Sequence, residues 1–265
     1  MVQASDVMDA MDGWIRNRSY GHYVVFNTAN DMVESATHTD VRNAMNQSDL
    51  CVPDGISLVL LGRMHGYTLR RRVYGPDLML DFLKRPSTKS YRHFFYGGTA
   101  YVLTRLVEYL RNAFPNIQIA GYHAPPFRPL SDEEDKEIMD KINQAHPDVV
   151  WVGLGGPKQQ LWMHAHRACL RVPVMAGVGA AFDFLSGAKP QAPIWLRNNG
   201  LEWLFRLFTE PRRLWRRYLV NNARFLVYMG REGVRLGGRY VHATLFQRGQ
   251  KTGRSYPRLT DHDGV

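Results

Sequence analysis

The chain has 265 residues, enough for one large α/β domain or one domain with an appendage. Hydrophobic residues make up 45%, the usual level for a soluble globular protein, and no apolar run reaches the roughly 18 residues a bilayer span needs. The net charge of +10 is concentrated near the end: between Arg197 and Arg254 twelve arginines accompany only Glu202, Glu210 and Glu232.

Such a basic face can meet nucleic acid, phosphate-bearing ligands or an anionic membrane, and charge alone does not choose among them. The N-terminus lacks the charged-then-apolar order of a signal peptide. Cys51 and Cys169 have no metal or redox spacing and read as buried free thiols of a reducing cytosol.

In chain order, Tyr23–Phe26 reads as a strand ending in Asn27-Thr28-Ala29-Asn30, and Asp31–Asn46 as one helix. Leu50–Val52 is a short strand ending in Pro53-Asp54-Gly55, followed by a helix over Ile56–Met64 and a loop through Arg70-Arg71-Arg72 and Gly75-Pro76-Asp77. His93–Tyr96 is a strand ending in Gly97-Gly98-Thr99. The next helix places Val102, Leu103, Leu106, Val107 and Leu110 on one face until Pro115 stops it. Ile117–Ala120 is a strand, and Ser131-Asp132-Glu133-Glu134 has capping-box spacing and opens a helix to Ala145. Val149–Val152 and Val172–Ala176 complete six strands, and a helix-like segment follows the glycines of Gly153–Gly156.

Strands alternating with helices of about 10–15 residues predict an α/β fold, a Rossmann-like parallel sheet with helices on both faces. Right-handed crossovers then bring all strand C-termini to one edge. The expected division is a core over 1–190, a basic amphipathic helical appendage over 191–248 and a polar, disordered tail over 249–265. In the appendage Leu214, Trp215, Tyr218 and Leu219 share a face flanked by Arg212, Arg213, Arg216 and Arg217, a pattern that suits a lipid interface.

No zincin motif, nucleophile elbow or Walker loop is present, and the glycines do not match the spaced dinucleotide fingerprint, which disfavours a nicotinamide enzyme. No strand end carries Asp-x-Asp, the metal clasp of many sugar-nucleotide enzymes. Among ten histidines only His164 and His166 are close, and residues two apart on a helix do not share a face. No metal and no cofactor are therefore expected.

The candidates for chemistry are the polar groups at the strand ends. Asp54 is presented between a proline and a glycine and could deprotonate an attacking hydroxyl, or else cap the helix after it. Thr28 and Asn30 suit sugar hydroxyls or the next helix cap. Gly97 and Gly98 could cradle a phosphate or nucleoside through backbone N–H groups, or form only a tight turn. Gly155, Pro157, Lys158 and Gln159 put polar groups at the mouth of a helix. Asp183, between aromatics, is either a site acid or a structural one with a local partner.

Together these residues resemble the WecG/TagA/CpsF glycosyltransferase family. The resemblance spans about Tyr23 to Tyr218. It rests on Thr28-Ala29-Asn30, Pro53-Asp54-Gly55, Gly97-Gly98, Val152-Gly153-Leu154-Gly155-Gly156-Pro157-Lys158-Gln159, Gly177–Phe184 and Gly200–Leu207. It implies transfer of a sugar from a UDP-sugar to a polyprenyl-diphosphate-linked sugar, at the inner face of the bacterial plasma membrane, in surface polysaccharide synthesis. It also implies inversion without an essential metal, and an appendage that completes the site and reaches the membrane. By resemblance Asp54 is the general base, Thr28 and Asn30 the acceptor-side pair, and Gln159 with Arg206, Arg212 or Arg213 the donor-diphosphate contacts. Glucose, N-acetylmannosamine and its uronic acid are all open as the donor sugar, and a homo-oligomer is open as the assembly. The chain departs from the family at Gln160, where Glu is usual, and at Gln191-Ala192-Pro193, where Arg-Ala-Pro is usual. The competing readings are a nucleic-acid-binding module and a non-catalytic scaffold of a polysaccharide assembly complex. No nucleic acid partner is expected, and the retained Asp54 argues against the scaffold.

Overall fold

Six strands alternate with helices along the chain: β1 (His22–Asn27), β2 (Leu50–Pro53), β3 (Arg92–Gly97), β4 (Gln118–His123), β5 (Val149–Gly153) and β6 (Val174–Gly177). In the computed structural model, which describes residues 3–85 and 90–235, they form one sheet in the order β2-β1-β6-β5-β3-β4. Every neighbouring pair is parallel. The register aligns the strand ends: Asn27 lies opposite Pro53, Val152 opposite Gly177 and Gly97 opposite Gly153. The expected α/β Rossmann-like class is the observed one.

The central strands are apolar on both sides because both sides are covered. Val24, Phe26, Phe95, Val149, Trp151 and Ala176 pack with α1 (Ala4–Arg16), α5 (Gly75–Lys84), α6 (Ala100–Ala113) and α9 (Ala181–Leu185). Tyr23, Val25, Phe94, Tyr96, Val150, Val152 and Met175 pack with α7 (Asp132–Gln144) and α8 (Lys158–His166). On β1 the Tyr23 hydroxyl donates to the Ala44 carbonyl at 2.6 Å, tying the strand to α3 (Thr39–Asn46). The connections after the neighbouring strands β3 and β5, α6 and α8, thus leave toward opposite faces, which opens a crevice between those two strand ends.

Several local expectations are corrected. The single helix over 31–46 is two helices, α2 (Ala29–Thr37) and α3, because His38 takes an extended conformation and serves both as the end of one and the start of the next. Gly75-Pro76-Asp77 is not loop but the first turn of α5, where a proline lacks only an N–H that the helix would not have used. The helix α1 was not foreseen, although Val7, Met8, Met11 and Ile15 bury one face of it. Both cysteines are free, as expected, but exposed: Cys51 sits on the edge strand β2 and Cys169 just after α8.

After the sheet come α10 (Ile194–Asn198), α11 (Glu202–Thr209), α12 (Pro211–Trp215), a π-helical turn over Arg216–Val220 and a helical run over 221–235. The residues up to Phe225 form one compact unit, and Leu226 begins a second. The tail 249–265 and the appendage beyond 235 lie outside the described residues.

Two glycines separate strain from crowding. Gly97 has φ +122°, and a Cβ there would come within 2.6 Å of the Gly153 carbonyl carbon; Gly66 has φ +83° and open space around it. Gly97→Ala should therefore cost about 3–5 kcal/mol, from backbone strain plus collision, and Gly66→Ala about 1 kcal/mol from strain alone. Urea unfolding of the two variants checks this, and equal costs would mean that β3 and β5 do not cross as closely as described.

Candidate active site

The parallel register delivers the loops after β1 and β2 to the same rim. The Asp54 and Gly55 amides both donate to the Asn27 carbonyl, at 2.9 and 3.4 Å, which folds the second loop against the first. Gly55 lies so close to the Thr28 backbone that a Cβ would be 3.8 Å from Thr28 Cα. Asp54 does not cap the next helix; Gly55 holds the cap position of α4 (Ile56–Met64). That removes the capping alternative.

The Asp54 side chain is 18% exposed, yet its Oδ1 is buried and has no hydrogen-bond partner. Arg72 Nη1 stands 3.8 Å away, beyond hydrogen-bonding distance, and donates instead to the Asp54 backbone carbonyl at 3.3 Å. Burial pushes the Asp54 carboxyl up to about 8, with Glu202 and Asp31 adding negative field and Arg72 and Arg206 opposing it. A carboxyl near the operating pH with a free oxygen is suited to accept a proton.

Thr28 and Asn30 sit on the adjoining loop. The Thr28 amide and hydroxyl both donate to Asp31 Oδ2, at 2.8 and 2.7 Å, so Thr28 closes the start of α2 as its capping alternative anticipated. Asn30 is buried and accepts from Asn221 Nδ2 at 2.7 Å, a contact from a residue 191 positions away. Asp31 Oδ1 also accepts from Gln160 Nε2 at 3.3 Å. Glutamine at 160 thus supplies a donor where the family's usual glutamate would set two carboxylates face to face.

The glycine-proline segment lies at the end of β5. Gly155, at φ +77°, donates to Gln159 Oε1 at 3.2 Å, and Gln159 Nε2 donates to the Gly177 carbonyl at 2.8 Å. Both ends of the Gln159 amide are thereby engaged in joining the ends of β5 and β6. Pro157 precedes α8 and Lys158 opens it, exposed. At β3, Gly98 has its amide on the Gly153 carbonyl at 3.2 Å, and the Thr99 hydroxyl accepts from Val102 N to cap α6. The Gly97-Gly98 pair therefore makes a tight strand-to-helix turn.

The C-terminal helices add the cationic side. Arg206, on α11, stacks its guanidinium 5.6 Å from the Phe184 ring, and its buried Nε has no hydrogen-bond partner. Its charge is among those that act on Asp54. Arg206 also lies 3.9 Å from Glu210, which Arg213 approaches more closely at 2.6 Å, and Arg212 is exposed. Asp183 takes its structural alternative: Lys189 Nζ is 2.7 Å from it and 3.3 Å from Glu210. The expected lipid face is also revised. Leu214 is buried and turned inward, Tyr218 packs edge-on against Trp203, and Trp215 and Leu219 remain exposed. Nothing is described for the Arg217 side chain.

Sequence reasoning missed four residues here. Arg72 was read only as loop. Glu202 donates nothing and accepts twice: from Arg72 Nη2 at 3.0 Å and from the Tyr74 hydroxyl at 2.8 Å. Asn221 completes the set by docking on Asn30. Glu202 had a signal, being one of three acids among twelve arginines. Among the described residues no cluster of three or more His, Cys, Asp or Glu could hold a metal ion. One Asp-x-Asp spacing does occur, at Asp261-His262-Asp263, outside the described residues.

Comparison with known proteins places the chain in a family. The model of the glycosyl transferase WecG/TagA/CpsF family matches residues 1–239. A relative from Bacillus spizizenii (strain ATCC 23059 / NRRL B-14472 / W23) is 34% identical over 208 residues, 77% of each chain. One from Bacillus subtilis (strain 168) is 33% identical over 209 residues, 75% of this chain and 78% of its own. One from Staphylococcus aureus (strain NCTC 8325 / PS 47) is 29% identical over 201 residues, 76% of this chain and 77% of its own. All three are named N-acetylglucosaminyldiphosphoundecaprenol N-acetyl-beta-D-mannosaminyltransferase. The chain is an enzyme of the WecG/TagA/CpsF family of glycosyltransferases.

Proposed function

We propose that this enzyme moves N-acetylmannosamine from a UDP-sugar to a polyprenyl-diphosphate-linked N-acetylglucosamine, with inversion and without an essential metal. The observation that carries the reading is the buried, unpaired Oδ1 of Asp54 at the strand-end rim, facing a cationic side. The relatives' names favour N-acetylmannosamine among the three donor sugars and supply the acceptor class. In one displacement the acceptor hydroxyl oxygen bonds to the anomeric carbon while its proton passes to Asp54. The bond to the UDP oxygen breaks on the opposite face, and the leaving diphosphate takes the electron pair. Arg206 is placed to meet that charge, and Arg72 stands beside the base. Residues 1–190 serve as the catalytic core, and the basic helices after them complete the site.

No helix among the described residues is long and apolar enough to cross a membrane. We place the enzyme peripherally on the inner face of the plasma membrane. In this region Trp195, Phe208, Trp215 and Leu219 are exposed, as are Arg212, Arg213 and Arg216. Each basic residue contributes about 1 kcal/mol near an anionic surface, and apolar insertion adds to it.

Full-length enzyme given UDP-N-acetylmannosamine and a short-chain lipid-diphosphate N-acetylglucosamine should form the disaccharide product by mass spectrometry in excess EDTA. Product that needs added manganese or magnesium would end the metal-free mechanism, and product only from another UDP-sugar would move the donor assignment.

Asp54→Asn should lower turnover by about 100-fold or more, the effect of losing a general base. In the wild type, kcat/KM should fall as pH drops below about 8, because the base must be unprotonated. Folding raises this pKa, so the contribution to stability is full below the unfolded value near 4 and is lost as pH rises through about 8. Asp54→Asn should accordingly gain stability over the wild type at pH 9 and little at pH 4 in thermal melts. A mutant with near-normal turnover would reject the base.

Sedimentation with vesicles tests the membrane reading. Binding should require anionic lipid, weaken with salt and fall about tenfold or more in Arg216→Glu/Leu219→Glu. Binding indifferent to all three would remove this face from the membrane.

A further inference from the structure

The environment of Asp54 contains a device beyond the base itself. Four charged groups face the carboxyl: Asp31 from α2, Arg72 from the loop before α5, and Glu202 and Arg206 from α11. Tyr74 is also within their reach. The nearest cation is Arg72, and its position is the question. A guanidinium beside a buried carboxylate would ordinarily form a paired, hydrogen-bonded bridge, which would make the carboxylate a poor base. Here it does not close. Arg72 Nη2 is held by Glu202 Oε2 at 3.0 Å, its Nη1 is on the Asp54 backbone carbonyl at 3.3 Å, and its guanidinium lies 4.3 Å over the Tyr74 ring. Glu202 is itself pinned, its other oxygen accepting from the Tyr74 hydroxyl at 2.8 Å. Gln191 Nε2 donates to the same hydroxyl at 3.4 Å. All of these side chains are largely buried, so the arrangement is set by packing and not by solvent.

We propose that Glu202 is a positioning residue for the reaction: it holds Arg72 at 3.8 Å from Asp54, out of hydrogen-bonding distance, and so keeps the Asp54 oxygen unpaired for the acceptor's proton. The proposal rests on Asp54 being the base. It gives the C-terminal helices a task distinct from supplying cations: they deliver an anion that restrains a core arginine. Arg72 still stabilises the ionised carboxylate through space, but without capturing the lone pair that the acceptor hydroxyl needs.

Two variants separate reach from charge. Glu202→Gln keeps the size and loses the charge. Glu202→Asp keeps the charge but is one methylene shorter, so it releases Arg72 without removing the negative field. The Asp54 carboxyl carbon is titrated by NMR in protein labelled at aspartate carboxyl carbons, with Asp54→Asn identifying its resonance. Alongside it, the pH profile of kcat/KM is measured for transfer to the short-chain acceptor. Both variants should lower the Asp54 pKa by about one unit or more, as Arg72 closes onto the carboxylate. The acidic limb of kcat/KM should move down with it, and the plateau rate should fall about tenfold. A merely structural role would lower the rate without moving the limb, and that result overturns the proposal. So does an Asp54 pKa lowered in Glu202→Gln but unchanged in Glu202→Asp, which would reduce Glu202 to a source of field. Should the carboxyl titration shift while the kcat/KM profile stays fixed, the hold on Arg72 stands and it is the base reading of Asp54 that fails.

Discussion

Burying a carboxyl without a hydrogen bond works against folding, and the structure around Asp54 is arranged to tolerate that burial. The residue sits at the end of β2, held by backbone bonds to the Asn27 carbonyl, so its position is fixed by the sheet and not by its own side chain. Two arginines lie near enough to offset the charge, and neither hydrogen-bonds the free oxygen. Everything else at the rim follows from keeping that oxygen buried and free. Glycines let strand ends converge, an asparagine and a glutamine lock neighbouring loops, and an acid from a distant helix restrains the closest cation. In the proposed mechanism this energetic penalty serves function, the usual pattern when an active-site group is less stable than its neutral isostere.

The fold was legible because its causes are local. Six short strand-like runs, most of them apolar or aromatic, separated by helical periodicity leave few topologies, and right-handed crossovers then fix the edge at which the strand ends gather. Where local causes compete, the reading slipped. Gly75-Pro76 serves a loop or a first helical turn equally well, and burial of Leu78, Met79 and Phe82 decided for the helix. His38 interrupts a helix that weak periodicity alone would have run through. The cysteines looked like core residues by type, but one lies on an edge strand.

The candidate site divides in the same way. Asp54 stood out because a proline fixes the approach to it and a permissive glycine follows it, and Arg206 because it belonged to a recognisable motif. Glu202 and Arg72 did not, since their importance lies in a contact spanning 130 positions. No spacing rule joins them. Gln159 shows the converse: it looked like a ligand contact by motif, and its amide is engaged in holding two strand ends together. The two departures from the family pattern acquire physical meaning as well. Gln160 gives Asp31 a donor, and Gln191 leaves the Tyr74 hydroxyl a neutral neighbour.

One turn of α11 carries both Glu202 and Arg206, so the anion that restrains Arg72 and a cation of the cleft arrive or leave as one body. Competence is then a closing equilibrium within the chain. Its constant is set by the contacts that seat the helix, such as Glu202 on Tyr74 and on Arg72, and by the high effective concentration of a tethered segment. Local opening of such a segment needs far less free energy than global unfolding. In the proposed mechanism, loosening of this helix would silence the enzyme on warming while its sheet remained intact, and anything that engages the same helices would act on the fraction of molecules able to react.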